Sequence, residues 1–284
     1  MTRTHIIGDQ GQRKYDEGLV NQVNEQIEAE ERREELEKRR AELQTVKKTK
    51  SEEEKPIILL PGNCIFLEAK EHISVDGRLT KYQYPDTIIA QDTMCPGLDW
   101  YKTHEILQSQ GLAMPTIRQH IDKMTLIKKG LLQELPVYDG NKNYIAKWKL
   151  QELWNKYFSK QQQGWNGQWL DARFEEDSEE GLFIIKYCHR LKKDKTGAIE
   201  VLVSERIETL EAFVNENCHV LLGSANYQGL PTKKTIDHTW YFIKPTNNSV
   251  AGFDADTSRA RLGCDWNPGS TSAVLAVCPT KNYD

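Results

Sequence analysis

The chain has 284 residues, enough for one large or two modest domains, yet only 38% are hydrophobic and 28% are charged. That is lean for a single globule and points to a solvated extension. A net charge of −4 gives no global reason to expect nucleic acid or a membrane surface as partner.

Residues 1–18 are polar and are expected to be irregular. From Leu19 to about Ser51 the chain lacks Gly and Pro and is rich in Glu, Arg and Lys, which predicts a charged helix. Val20, Val23 and Ile27 keep helical spacing, as do Leu36, Leu43 and Val46, but the gap between the two sets breaks the register. Pairs such as Glu35–Arg39 support the helix itself. Two readings stay open: an isolated charged helix, or a short imperfect coiled coil that joins protomers into a homo-oligomer or anchors them. Lys47 to Pro56 reads as a linker.

Ile57 to Leu60, Pro61-Gly62 and Ile65-Phe66-Leu67 read as strand, turn, strand. Val75-Asp76-Gly77-Arg78-Leu79 carries an Asp-Gly hairpin signal. Together they predict a small β-rich collar over 57–111, set apart from the rest. His72 and His104 have no evident partner and read as surface histidines.

Met114-Pro115-Thr116 opens a predicted helix, with Ile117, Ile121, Met124, Ile127 and Leu131 on one face. A second helix is predicted from about Lys147 to Gln161. The acidic turn Glu175 to Glu180 lacks the alternate-ligand spacing and fixed glycine of a calcium loop. Ile199 to Val203 reads as a strand, Thr209 to Val214 as a helix N-terminus capped by Thr209, Asn226 to Thr235 as a loop, and His238 to Ile243 as an aromatic strand. Helices and strands mix without a βαβ rhythm, so the expected class is α+β.

The terminal stretch, Asn247 to Pro279, is the most patterned. Ala251, Phe253 and Ala255 alternate with Gly252, Asp254 and Asp256; Ala260, Leu262 and Cys264 alternate with Arg261, Gly263 and Asp265; Ala273, Leu275 and Val277 form a third apolar row. Period two predicts three strands with one buried and one exposed face. The exposed face, with Trp266 and the loop Asn267-Pro268-Gly269-Ser270 beside it, is either a ligand-binding surface or a solvated hairpin face.

This stretch resembles the C-terminal half of a C-type-lectin-like domain. The branch is the one shared by formylglycine-generating-enzyme-like proteins and the variable proteins of diversity-generating retroelements, which phages and bacteria encode. The matching residues are Asn247 to Ala251, Phe253-x-Ala255, Arg259-Ala260-x-Leu262-x-Cys264, Asn267-Pro268 and Ser272-Ala273-x-Leu275-x-Val277. The resemblance implies a lectin-like ligand-binding domain over 112–284, preceded by the collar at 57–111 and the anchoring or oligomerising segment at 1–56. It also implies that the outward residues Gly252, Asp254, Asp256, Ser258, Arg261, Gly263, Asp265, Trp266, Gly269, Ser270 and Thr271 form the ligand-binding, diversified surface.

The expected function is therefore a receptor- or ligand-binding protein, a phage virion component contacting a host cell-surface protein or glycan. Its N-terminal region would meet other virion proteins. The alternative is a purely structural virion protein such as a fibre, collar or decoration protein. No cofactor, no metal and no nucleic-acid partner are expected. Gly-x-Ser-x-Gly, phosphate-cradling glycine loops and HExxH are missing from the sequence, so an enzyme is not expected. The formylglycine-generating relatives use a cysteine pair. Here Cys264 is expected in an inward row and Cys278 near the chain end, with nothing to match them. Met1 to His5 is not followed by an apolar core, and no apolar run approaches the roughly 18 residues of a membrane span. Synthesis in a host cytoplasm without export and release in a virion is the expected localisation.

Overall fold

A computed structural model describes residues 57–69, 84–158, 167–177, 182–193, 200–236, 240–255 and 259–279. The predicted N-terminal helix and linker, the Asp-Gly hairpin with His72, most of the acidic turn, and Asp256 and Ser258 lie outside the described residues. No described helix is long and apolar enough to cross a membrane.

The described residues form a mixed α+β structure of three helices and twelve strands. In chain order, β1 (Cys64–Leu67), β2 (Thr87–Ala90) and β3 (Met94–Leu98) precede α1 (Trp100–Ser109), α2 (Ile117–Leu131) and α3 (Lys147–Phe158). Then come β4 (Gln168–Glu176), β5 (Phe183–Lys193), β6 (Glu200–Thr209), β7 (Cys218–His219) and β8 (Trp240–Ile243). The chain closes with β9 (Ser249–Ala255), β10 (Ala260–Trp266), β11 (Ser272–Val274) and β12 (Val277–Pro279).

Helix α2 begins where its sequence says it should. Thr116 and Gln119 form a capping box, each side chain meeting the other's backbone N–H, and the Ile117–Ile121–Met124–Ile127 stripe is buried. Helix α1 was not foreseen. The Asp99 carboxylate accepts from Lys102 N at 2.7 Å, and Trp100, Thr103, His104 and Leu107 form its buried face. The helix expected after Thr209 does not form. Thr209 instead ends β6 opposite Ile184, Leu210 N donates to Phe183 O, and the Gln228 amide bonds both Thr209 O and Glu211 N. The backbone there is already satisfied, so a helix start gains nothing. Ile57 to Leu60 is not a strand either; only Cys64–Leu67 pairs.

The collar expected over 57–111 is not set apart. Strand β2 lies between β1 and β12, and β3 pairs with β11. Ala90 N donates to Ala276 O, and Ala113 and Val277 bond each other's backbone. Residues from Ile57 onward pack as one unit. The predicted third terminal strand splits: β11 joins the large sheet and β12 the small one. Around the break, Leu275 and Val277 enter one core while Val274, Ala276 and Cys278 enter the other. A terminal segment read as half-exposed is thus buried on both faces.

The large sheet runs β3-β11-β4-β9-β10-β8-β7, and the β5–β6 hairpin branches from β4. Its middle strands separate two cores. Leu170, Phe253, Leu262 and Cys264 belong to the first, and Trp100, Trp169, Val250 and Val274 to the second. Strand β4 is irregular at this junction. From Trp169 to Arg173 it advances four residues while β9 advances two, from Gly252 to Val250. Such an excess re-aims side chains, and Asp171 lies within it, its N–H donating to Pro115 O at 2.8 Å.

Candidate functional site

The predicted surface is only partly a surface. Most of the inward rows is buried, with Ala251, Phe253, Ala260 and Cys264 fully enclosed, while Ala255 and Ala273 are half-buried. Gly252, Asp254 and Gly263, expected outward, are buried too. For the two glycines the cause is Trp266. Gly252 and Gly263 face each other across β9 and β10, and the indole rests on both. A Cβ at Gly252 would stand 2.2 Å from its Cε3, and one at Gly263 would stand 2.4 Å from its Nε1. Gly167 completes the seat, since a Cβ there would be 2.9 Å from Cη2. Trp169 then meets the indole edge-on at 5.3 Å between ring centroids. Large aromatics need room, and three positions without side chains supply it.

Asp254 is covered by Arg261. The guanidinium Nε donates to Oδ1 at 2.8 Å and Nη2 donates to Oδ2, a two-pronged pair. The Asp254 side chain is 5% exposed and that of Arg261 25%. The two residues pair across the β9–β10 register, Arg261 opposite Asp254.

What remains open is the end of the face. Asp265, Asn267, Gly269, Ser270 and Thr271 are exposed, and Trp266 is half-buried. The loop that carries them is tied down. Asn267 Oδ1 accepts from Gly269 N at 2.9 Å, Asn267 O accepts from Ser270 N at 3.0 Å, and Pro268 O accepts from Trp100 N at 3.0 Å. Of the predicted site residues, the structure thus gathers Asp265, Trp266, Gly269, Ser270 and Thr271 at one end and withdraws Gly252, Asp254 and Gly263 into the sheet.

A second constellation was missed by the sequence reading. His104 is 1% exposed, not a surface residue. It packs beside Trp100, which lies edge-on to both His104 and His189. The His189 Nδ1 stands 2.5 Å from Asp171 Oδ1, its backbone N–H donates to Asp171 Oδ2 at 3.1 Å, and its Nε2 lies 2.7 Å from Ser204 Oγ. His104 Nε2 is 3.6 Å from Asp171 Oδ1, too far for a hydrogen bond. Burial pushes His104 down to about 4, so its ring is neutral at pH 7. Burial alone would raise the Asp171 carboxyl, but the charge and hydrogen bonds of His189 hold it below the ordinary carboxylate range. The backbone is shaped to make this cluster. Cys188 has φ +55°, and both it and Tyr187 pack against the first core, so the strand's alternation breaks there. The next residue, His189, meets Trp100 of the second core. The available signal was local: Asp99 as cap, with Trp100, Thr103, His104 and Leu107 at helical spacing, places His104 on a buried face.

Comparison with known proteins adds no identity: no protein family, no curated protein and no solved structure matches the chain.

Proposed function

We propose that this is a ligand-binding protein of lectin-like design, carried on a phage particle, which presents the end of its β9–β10 face to a host cell-surface protein or glycan. The observation that carries the reading is the exposed set Asp265, Asn267, Gly269, Ser270 and Thr271 on a loop held from below. Variable, polar side chains on a rigid base are how binding loops combine adaptability with low ordering cost. The predicted helix upstream of residue 56 would bring several copies together, making a second contact intramolecular and offsetting weak single-site binding.

The test uses the full chain, fluorescently labelled, on whole bacterial cells and on an array of bacterial surface glycans. The variant Asp265→Ala/Ser270→Ala/Thr271→Ala changes only exposed side chains, so its circular dichroism and melting temperature should match the wild type. Its binding should fall by about tenfold or more if these side chains form the contact. Undiminished binding by the variant would remove this loop from the contact. A wild-type chain that binds neither cells nor glycans would favour the purely structural virion role.

A further inference from the structure

We propose that His104, Asp171 and His189 hold a first-row divalent transition-metal ion of the zinc class, with a fourth position left for water. Their ligand atoms all lie within 4.8 Å of one another, and all three residues are buried. Two neutral imidazoles and a carboxylate are the donor set that such ions take in three-ligand sites.

A second observation points to a ligand. Neither ring nitrogen of His104 has a hydrogen-bond partner, although the residue is 1% exposed. A buried polar atom left unmet costs free energy, and proteins rarely leave one so. Its Nε2 faces Asp171 at 3.6 Å, which is close to the spacing of about 3.4 Å between two atoms that share an ion at ~2.1 Å in a tetrahedron. The separation of His189 Nδ1 from Asp171 Oδ1, 2.5 Å, would widen as the ion replaces the proton they share. That proton has a destination. His189 changes tautomer, Nε2–H donates to Ser204 Oγ at 2.7 Å, and Nδ1 presents its lone pair to the ion. Ser204 acts as a positioning residue.

The backbone bends on two sides to build the cluster. Cys188, one residue before His189, holds φ +55°, and β4 carries its excess residues around Asp171. Strained or bulged backbone gathers where function needs a side chain re-aimed. A cavity of about 270 Å³, lined by His189, Ser204, Trp100 and Tyr101 among others, opens on the His189–Ser204 side of the cluster.

The test strips the full-length chain with chelator, then titrates Zn²⁺ by calorimetry and Co²⁺ by its visible d–d absorption, with melting temperature as a third readout. One ion per chain and a raised melting temperature are expected. His104→Gln should abolish that equivalent, while His219→Gln, distant in the fold, should keep it. If His104→Gln fails to fold by circular dichroism, Ser204→Ala decides: it should weaken Zn²⁺ binding by about tenfold or more. Wild type that takes up no Zn²⁺ beyond that of His104→Gln, or Ser204→Ala with unchanged affinity, overturns the site and leaves a hydrogen-bonded cluster.

Discussion

Trp266 rests on Gly252 so closely that a Cβ built on that glycine would stand 2.2 Å from Cε3 of the indole. The glycine is therefore a packing requirement of the tryptophan. Gly252→Ala should destabilise the protein by about 1–3 kcal/mol, the usual cost of overpacking an enclosed site. Urea denaturation followed by tryptophan fluorescence measures it. Trp266→Ala in the same chain should remove most of the added cost, because the clash partner is gone. A Gly252→Ala variant as stable as the wild type would mean that the indole is not seated there.

The same relationship changes what natural variation should look like. Gly252 and Gly263 both lie under Trp266, so they cannot vary freely while the tryptophan stays. Deep sequencing of the gene across a population should find Asp265, Ser270 and Thr271 varied independently. It should find Gly252 and Gly263 replaced only where Trp266 has become smaller. Independent substitution at all of these positions would overturn the coupling. Constancy at all of them would count against a diversified surface.

The pair Arg261 and Asp254 sets a second test. With Asp254 at 5% side-chain exposure, removing its partner strands a charge. Arg261→Ala should cost roughly 3 kcal/mol. The double variant Arg261→Ala/Asp254→Ala should cost less than the single one, because the stranded carboxylate goes with it. Chemical denaturation of the four chains of that cycle reads the coupling directly. Additive losses would show that the two groups do not depend on each other. Arginine and tryptophan are common hot-spot types in interfaces, but here both are tied into the sheet, so their loss acts on folding before it acts on binding.

Periodicity made several elements legible. The Ile117–Leu131 stripe, the Thr116 start and the alternation of Phe253 or Leu262 are local patterns, and the structure follows them. What the pattern could not show is what covers the opposite face. Gly252 reads as an outward, unencumbered residue until Trp266, three residues past its cross-strand partner Gly263, folds back over it. Asp254 reads as a wet acid until Arg261 pairs with it. The His104–Asp171–His189 cluster is harder still. Its members come from α1, β4 and β5, and two of them are placed by backbone irregularities that leave no periodic trace. The split of Ser272 to Pro279 between two sheets depends on β2 and β3, chain segments far upstream. Long-range pairing of this kind is not encoded in any window of sequence.

Lys123 offers a test by pH. It is fully buried in α2, and its Nζ donates to Ala90 O at 3.0 Å and to Tyr157 Oη at 2.8 Å. Burial pushes it down to about 7; Lys156 adds to the fall, and Cys64 and Asp92 oppose it. Tyr157 is pushed up to about 12, chiefly by burial, so it stays a neutral hydroxyl over the working range. His120, on the same helix, is held well below its ordinary value by burial and by Lys123, and stays uncharged. An unfolded lysine keeps its proton up to about pH 10.5. Between pH 7 and that value the unfolded chain therefore binds more protons than the folded one, and stability rises with pH. The contribution is complete above the unfolded pKa and is lost as pH falls through 7. From pH 7 to 9.5 this one group should add on the order of 3 kcal/mol. Lys123→Met removes the titrating group while filling its volume. The difference in unfolding free energy between wild type and Lys123→Met should shift in favour of the wild type by that amount over the interval, whatever the variant's stability at pH 7. A difference that stays constant from pH 7 to 9.5 would mean that Lys123 keeps its proton in the folded protein, and that the hydrogen bonds to Ala90 and Tyr157 suffice to hold a charge in the core.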